Sequence, residues 1–119
     1  MYGLSEDLDL SFFVGTSLIQ LGMGEHHIAF ALHPDVRLSV GSRMRLTDRK
    51  GETFTIDEDY RETAGVLLAL ISHDVQSASR TPFGALRLEW SNGAALEVDD
   101  DSDQYESYTI NHGDRLIVV

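Results

Sequence analysis

The densest cluster of ionisable side chains in this 119-residue chain is made of carboxylates. Residues 97–106 read Glu97-Val98-Asp99-Asp100-Asp101-Ser102-Asp103-Gln104-Tyr105-Glu106, six acids without a base. Asp99, Asp101 and Asp103 sit at alternate positions, as at the start of a calcium loop. An EF-hand needs Gly at its sixth position and Glu at its twelfth, and the chain has Gln104 and Ile110 there. The run therefore reads as a solvated acidic turn, and next as a surface for basic groups. Tyr105-Glu106-Ser107-Tyr108 overlaps its end. On a strand, Tyr105 and Ser107 share one face, and Glu106 and Tyr108 the other. Aromatic side chains beside carboxylates make a good recognition surface. The expected partner-binding residues are thus Asp99, Asp100, Asp101, Asp103, Tyr105, Glu106 and Tyr108. The plainer alternative places one of the tyrosines in the core.

Other constellations carry less chemistry. Glu25-His26-His27 catches the eye as a metal site, but neighbours on a strand point to opposite faces, and no H-E-x-x-H spacing occurs. Ser72-His73-Asp74 holds the residue types of a hydrolytic triad, which needs convergence in space rather than adjacency. Gly22-Met23-Gly24 is followed by neither a helix nor Lys-Ser/Thr, so it is not a phosphate-binding loop. The absence of cysteine removes disulfides, thiolate zinc sites and cysteine nucleophiles together. No motif calls for a cofactor.

The formal net charge is −11, from 20 acids against nine Lys and Arg. That field repels phosphate backbones and anionic membrane surfaces and attracts a basic protein. The charge is uneven, since residues 37–50 hold five of the nine bases. The longest apolar run, residues 65–71, is far short of the roughly 20 residues that cross a bilayer. The acidic N-terminus does not read as a signal peptide, and the expected compartment is the cytoplasm.

These groups must be positioned mostly by strands. Apolar residues alternate at Ile28, Phe30 and Leu32, at Val36, Leu38 and Val40, and at Leu86, Leu88 and Trp90, the period of a half-buried strand. Ser91-Asn92-Gly93 marks a hairpin, since Asn-Gly suits a type I′ turn. Asp59-x-x-Glu62 has the form of a capping box and opens a nearly all-apolar stretch. Residues 60–72 are therefore expected to form one buried helix, with Gly65 marking a close approach to a strand. The expected fold is α+β: a single domain of mainly antiparallel strands, in two similar β units around one central helix. The similarity is visible in register. Ile28, Phe30, Leu32, Val36, Leu38 and Val40 match Leu86, Leu88, Trp90, Ala94, Leu96 and Val98, each 58 positions on. Residues 27–40 and 85–98 are thus candidates for an internal repeat.

The segment Leu86-x-Leu-x-Trp-Ser-Asn-Gly-x-x-Leu-x-Val-x-Asp-Asp-Ser-x-x-Tyr-Glu-Ser-Tyr-x-Ile110 resembles a group of small uncharacterised bacterial domains. That group carries no established activity, so the resemblance implies no catalytic residue. It is loosely similar to the acidic immunity proteins of secreted toxins. The expected function is a non-enzymatic acidic module that binds a basic protein, an immunity-type inhibitor being one version. A homo-oligomeric domain pairing through residues 115–119 and an enzyme whose site is not visible in sequence are the alternatives.

Overall fold

The computed structural model describes residues 4–57, 59–100 and 107–119. Ten strands lie in two five-stranded antiparallel sheets. In chain order they are β1 (Ser17–Met23), β2 (Ile28–His33), β3 (Val36–Val40), β4 (Met44–Thr47), β5 (Thr53–Ile56), β6 (Val75–Arg80), β7 (Leu86–Trp90), β8 (Ala95–Val98), β9 (Tyr108–His112) and β10 (Arg115–Val118). One sheet runs β1-β2-β3-β9-β10, the other β5-β4-β8-β7-β6.

The alternation read from the sequence supplies the core. Ile28, Phe30 and Leu38 on one sheet, and Leu86, Leu88 and Leu96 on the other, are fully buried and belong to one contiguous cluster. Their neighbours along each strand face outward, as the two-residue period requires. The outward residues differ between the sheets. The second sheet carries Arg45, Glu97 and Arg87 side by side, whereas the first carries Ala31, Arg37, Asn111 and Leu116 in one row.

The expected α+β fold with a central helix over residues 60–72 is corrected. The structure is mostly antiparallel β, and that segment forms one four-residue helical turn, α1 (Tyr60–Thr63), followed by a 3-10 run at Ala64–Leu70. Its buried residues, Ala64, Leu67 and Leu70, fall three apart, which is the period of a 3-10 helix rather than an α-helix. Leu68 between them is 58% exposed, so the segment covers the periphery of the core and is not its centre. The capping box does not close, because the Asp59 side chain makes no capping bond. Nor does Gly65 mark a close approach: a Cβ there would have nothing within 4 Å.

The Asn92-Gly93 hairpin also differs from expectation. Gly93 N–H donates to Trp90 O at 3.0 Å, Trp90 N–H donates to Ala94 O at 2.9 Å, and only Gly93 has a positive φ, of 87°. That is a three-residue loop with a left-handed glycine, not a two-residue type I′ turn. The same hydrogen-bond pattern recurs at Asp48–Glu52 and at Thr81–Ala85, with Gly51 and Gly84 in the left-handed position.

The two hairpins matched in sequence fall one in each sheet, with equivalent pairings. Ile28 pairs with Val40 and Phe30 with Leu38; Leu86 pairs with Val98 and Leu88 with Leu96. The likeness extends to the neighbouring edge strands. β1 skips one residue after the partner of Leu32, and β6 skips one after the partner of Trp90. Each three-stranded meander is then completed by the other half's hairpin: β9–β10 joins β3, and β4–β5 joins β8.

Candidate functional site

The loop between β6 and β7 presents the most exposed large apolar side chain among the described residues, Phe83, at 97% of its full exposure. The loop that holds it is tightly bonded. Thr81 N–H donates to Ala85 O at 2.9 Å, and Gly84 N–H donates to Thr81 O at 3.0 Å. The Thr81 hydroxyl accepts the Ala85 N–H at 3.0 Å. Pro82 presets its own φ at the first turn position. Below the loop, Arg80 fastens the N-terminal segment: its Nε donates to Leu4 O, and Nη1 lies 3.6 Å from Glu6. Leu4 N–H in turn donates to Gly84 O at 3.2 Å. Phe83 is thus held out on a turn whose backbone is braced.

Beside it lies an open cleft of about 650 Å³, lined among others by Phe83, Arg80, Arg87, Glu97, Asp99 and Asp100. Its floor follows from strand register. Arg45, Glu97 and Arg87 are cross-strand neighbours on β4, β8 and β7, where opposite charges attract. Glu97 accepts from Arg45 at 2.9 Å and from Arg87 at 2.8 Å. Asp99 accepts both Arg45 terminal nitrogens, at 2.7 and 2.8 Å, the bidentate geometry that suits guanidinium. The hydrogen bond from Arg45 holds the Glu97 carboxyl below its ordinary range, against the opposing effect of burial and with further help from Arg87. The same bond to Glu97 raises the Arg45 guanidinium. Asp100 accepts the Ser107 hydroxyl at 2.6 Å. These carboxylates are engaged with arginine or hydroxyl partners.

The expected partner-binding residues are distributed as follows. Asp99 and Asp100 line the cleft. Asp101, Asp103, Tyr105 and Glu106 lie outside the described residues. Tyr108 is corrected from a recognition residue to a core residue, 1% exposed. It pairs with Val40 and lies two positions before Ile110, which pairs with Leu38, so strand parity sends it inward. Its hydroxyl is buried without a hydrogen-bond partner among the described residues. Burial, and then the charge of Asp100, push its ionisation above the ordinary phenol range. Sequence reasoning missed Phe83, Arg45 and Arg87. The signal for Phe83 is a Thr-Pro-Phe-Gly turn with an aromatic at its tip; that for the arginines is the register of three strands.

The remaining candidates lie apart from this cleft; Glu25 and His26 line a second open cleft, of about 750 Å³, together with Asp59 and Arg61. His26 Nε2 lies 3.7 Å from Glu25, both well exposed, and no group of three His, Asp or Glu among the described residues is arranged to hold a metal ion. His73 meets the Ser91 hydroxyl at 3.2 Å, while the Asp74 carboxylate accepts from Ser17 instead of orienting the histidine. No helix among the described residues is long and apolar enough to cross a membrane.

Fold and cleft together define a two-sheet antiparallel β protein with a braced aromatic loop beside an ion-paired floor. The chain belongs to a family of unknown function, DUF6188, which matches residues 10–119. This agrees with the resemblance to an uncharacterised domain. No curated protein and no solved structure matches the chain.

Proposed function

We propose that this chain is a non-enzymatic protein-binding module whose contact surface is centred on Phe83 and the adjoining Asp99–Asp100 rim. The observation that carries the reading is the exposure of Phe83, 97%, on a turn whose backbone is already fixed. An exposed aromatic is the kind of anchor that dominates interface energies, and the ordered backbone beneath it lowers the entropic cost of binding. The partner class follows from charge. The described cleft balances its arginines against its carboxylates, and the chain then adds Asp101, Asp103 and Glu106 without a base. A basic protein surface complements that excess and is steered toward it. An immunity-type inhibitor of a basic toxin is one concrete form of this reading.

The test is capture of basic proteins on immobilised wild-type chain, with elution by a salt step, beside a Phe83→Ala column. Phe83 is solvent-exposed, so the substitution leaves stability within about 0.5 kcal/mol. Loss of an anchor is expected to cost about 2 kcal/mol or more, roughly 30-fold in affinity. A basic protein retained equally by both columns, or no retained basic protein at all, refutes the reading.

A further inference from the structure

The four sheet edges are β1 and β10 on one sheet, β5 and β6 on the other. Edge strands invite pairing, and proteins blunt them with bulges, charges or covers. β1 and β6 each carry a bulge, and β5 packs against α1. β10 pairs with β9 in unbroken register and is bare on its other side among the described strands. Its outward side chains are Leu116 and Val118, 59% and 46% exposed.

The backbone points the same way. Val119 N–H donates to Tyr108 O at 2.9 Å, and Tyr108 N–H to Val119 O at 3.4 Å, so that pair exchanges both bonds. Antiparallel pairs alternate, so Ile117 also bonds toward β9, while the N–H and C=O of Leu116 and Val118 point away from it. We propose that two copies of this chain pair antiparallel along β10, centred on Ile117, and merge their two β1–β10 sheets into one ten-stranded sheet. In this register Leu116 of each copy faces Val118 of the other. The four outward backbone groups of each copy then meet their complements, so the strand is complementary to itself under a two-fold axis.

Charge selects a second copy over a basic partner at this edge. The outward positions of β9 and β10 are Thr109, Asn111, Leu116 and Val118, without a carboxylate in a chain of net charge −11. At these four positions two copies meet without a carboxylate; of the described acids, Asp9 beside Arg115 and Asp100 bonded to Ser107 sit toward the ends of the strand. The contact is small, in the weak or transient class below about 1,200 Å². Its salt response opposes that of the Phe83 surface: salt screens the repulsion between two −11 molecules and strengthens the pair, whereas it weakens capture of a basic protein.

Sedimentation of the wild-type chain from about 10 µM to about 1 mM, the range of weak interfaces, is the test, at low and high salt, with Leu116→Lys and Val118→Lys in parallel. The expected result is a concentration-dependent dimer, tighter at high salt, with slowed amide exchange at Leu116 and Val118. Each lysine variant should raise the dissociation constant at least about tenfold, since an edge lysine opposes strand pairing. Both positions are exposed, so both variants keep the fold. A monomer throughout, or a dimer unaffected by either lysine, overturns the proposal. Either result leaves the Phe83 reading standing, because Phe83→Ala does not touch this edge.

Discussion

Glu97 is the residue at which two arginines meet, and its chemistry sets a pH dependence. Its carboxyl is held below the ordinary value of 4.5, by Arg45 first and Arg87 further, against the effect of burial. A group depressed on folding stabilises the fold fully above its unfolded value, and that stability is lost as pH falls through the folded value. The arginines are about a third exposed, at 37% and 36%, so screening keeps the contribution near that of surface pairs. Glu97→Gln is expected to cost about 1 kcal/mol at neutral pH. That cost should fall away in acid, as Glu97 takes up its proton and both proteins carry an uncharged side chain. Urea midpoints at neutral pH and in acid check this, and a cost that persists undiminished in acid refutes it. At this scale the sequence is partly legible. The acidic run announces a charged surface, and the cleft does take Asp99 and Asp100. The partners of those acids are hidden, because Arg45 is brought to Glu97 and Asp99 only by the pairing of β4 with β8. Tyr108 is hard to place because its parity depends on where β9 begins, and the following Ile110 is the residue that fixes it.

Among elements, the strands are legible because each needs only local alternation, and residues 60–72 are not. An almost uniformly apolar stretch carries no period from which an α-helix and a 3-10 helix can be told apart, and tertiary packing decides. Here burial every third residue wins. Two glycines make the distinction measurable. Gly65 has an ordinary φ, and a methyl added there would meet open space, so Gly65→Ala should stabilise by about 0.4–1 kcal/mol through loss of unfolded-chain freedom. Gly93 has φ of 87°, and a Cβ there would lie 2.9 Å from the Arg49 side chain. Gly93→Ala should therefore destabilise by about 1–2 kcal/mol. Denaturant melts of the two variants test opposite signs for one chemical change. Equal signs would refute either the ordinary backbone of the 3-10 run at Gly65 or the left-handed turn at Gly93.

For the whole molecule, the exchange of hairpins between sheets matters more than the likeness of the halves. A meander of three strands leaves β3 and β8 as open edges, and each is closed by strands from the opposite half of the chain. Val36 pairs with His112, and Val98 pairs with Met44. The 58-position match is readable in sequence, because it is a pattern of side chains. The exchange is not, because nothing local distinguishes a hairpin that folds back on its own half from one that crosses over. Its consequence is that neither half owns a complete sheet. Residues 1–57 alone would expose the inward faces of β2 and β3, whose Phe30 and Leu38 are fully buried in the intact chain. Residues 58–119 alone would leave Leu88 and Leu96 equally uncovered. Halves of about 60 residues are marginal even with a complete core. Each fragment is therefore expected to lack a cooperative melt by itself. An equimolar mixture should regain strand signal and a cooperative transition, because β3–β9 and β4–β8 pairing can form between chains as it does within one. Circular dichroism of the separate and mixed fragments is sufficient. A fragment that melts cooperatively alone would show that its half closes its own sheet, and a mixture that stays unfolded would show that the covalent link at residues 57–59 is needed to bring the halves together.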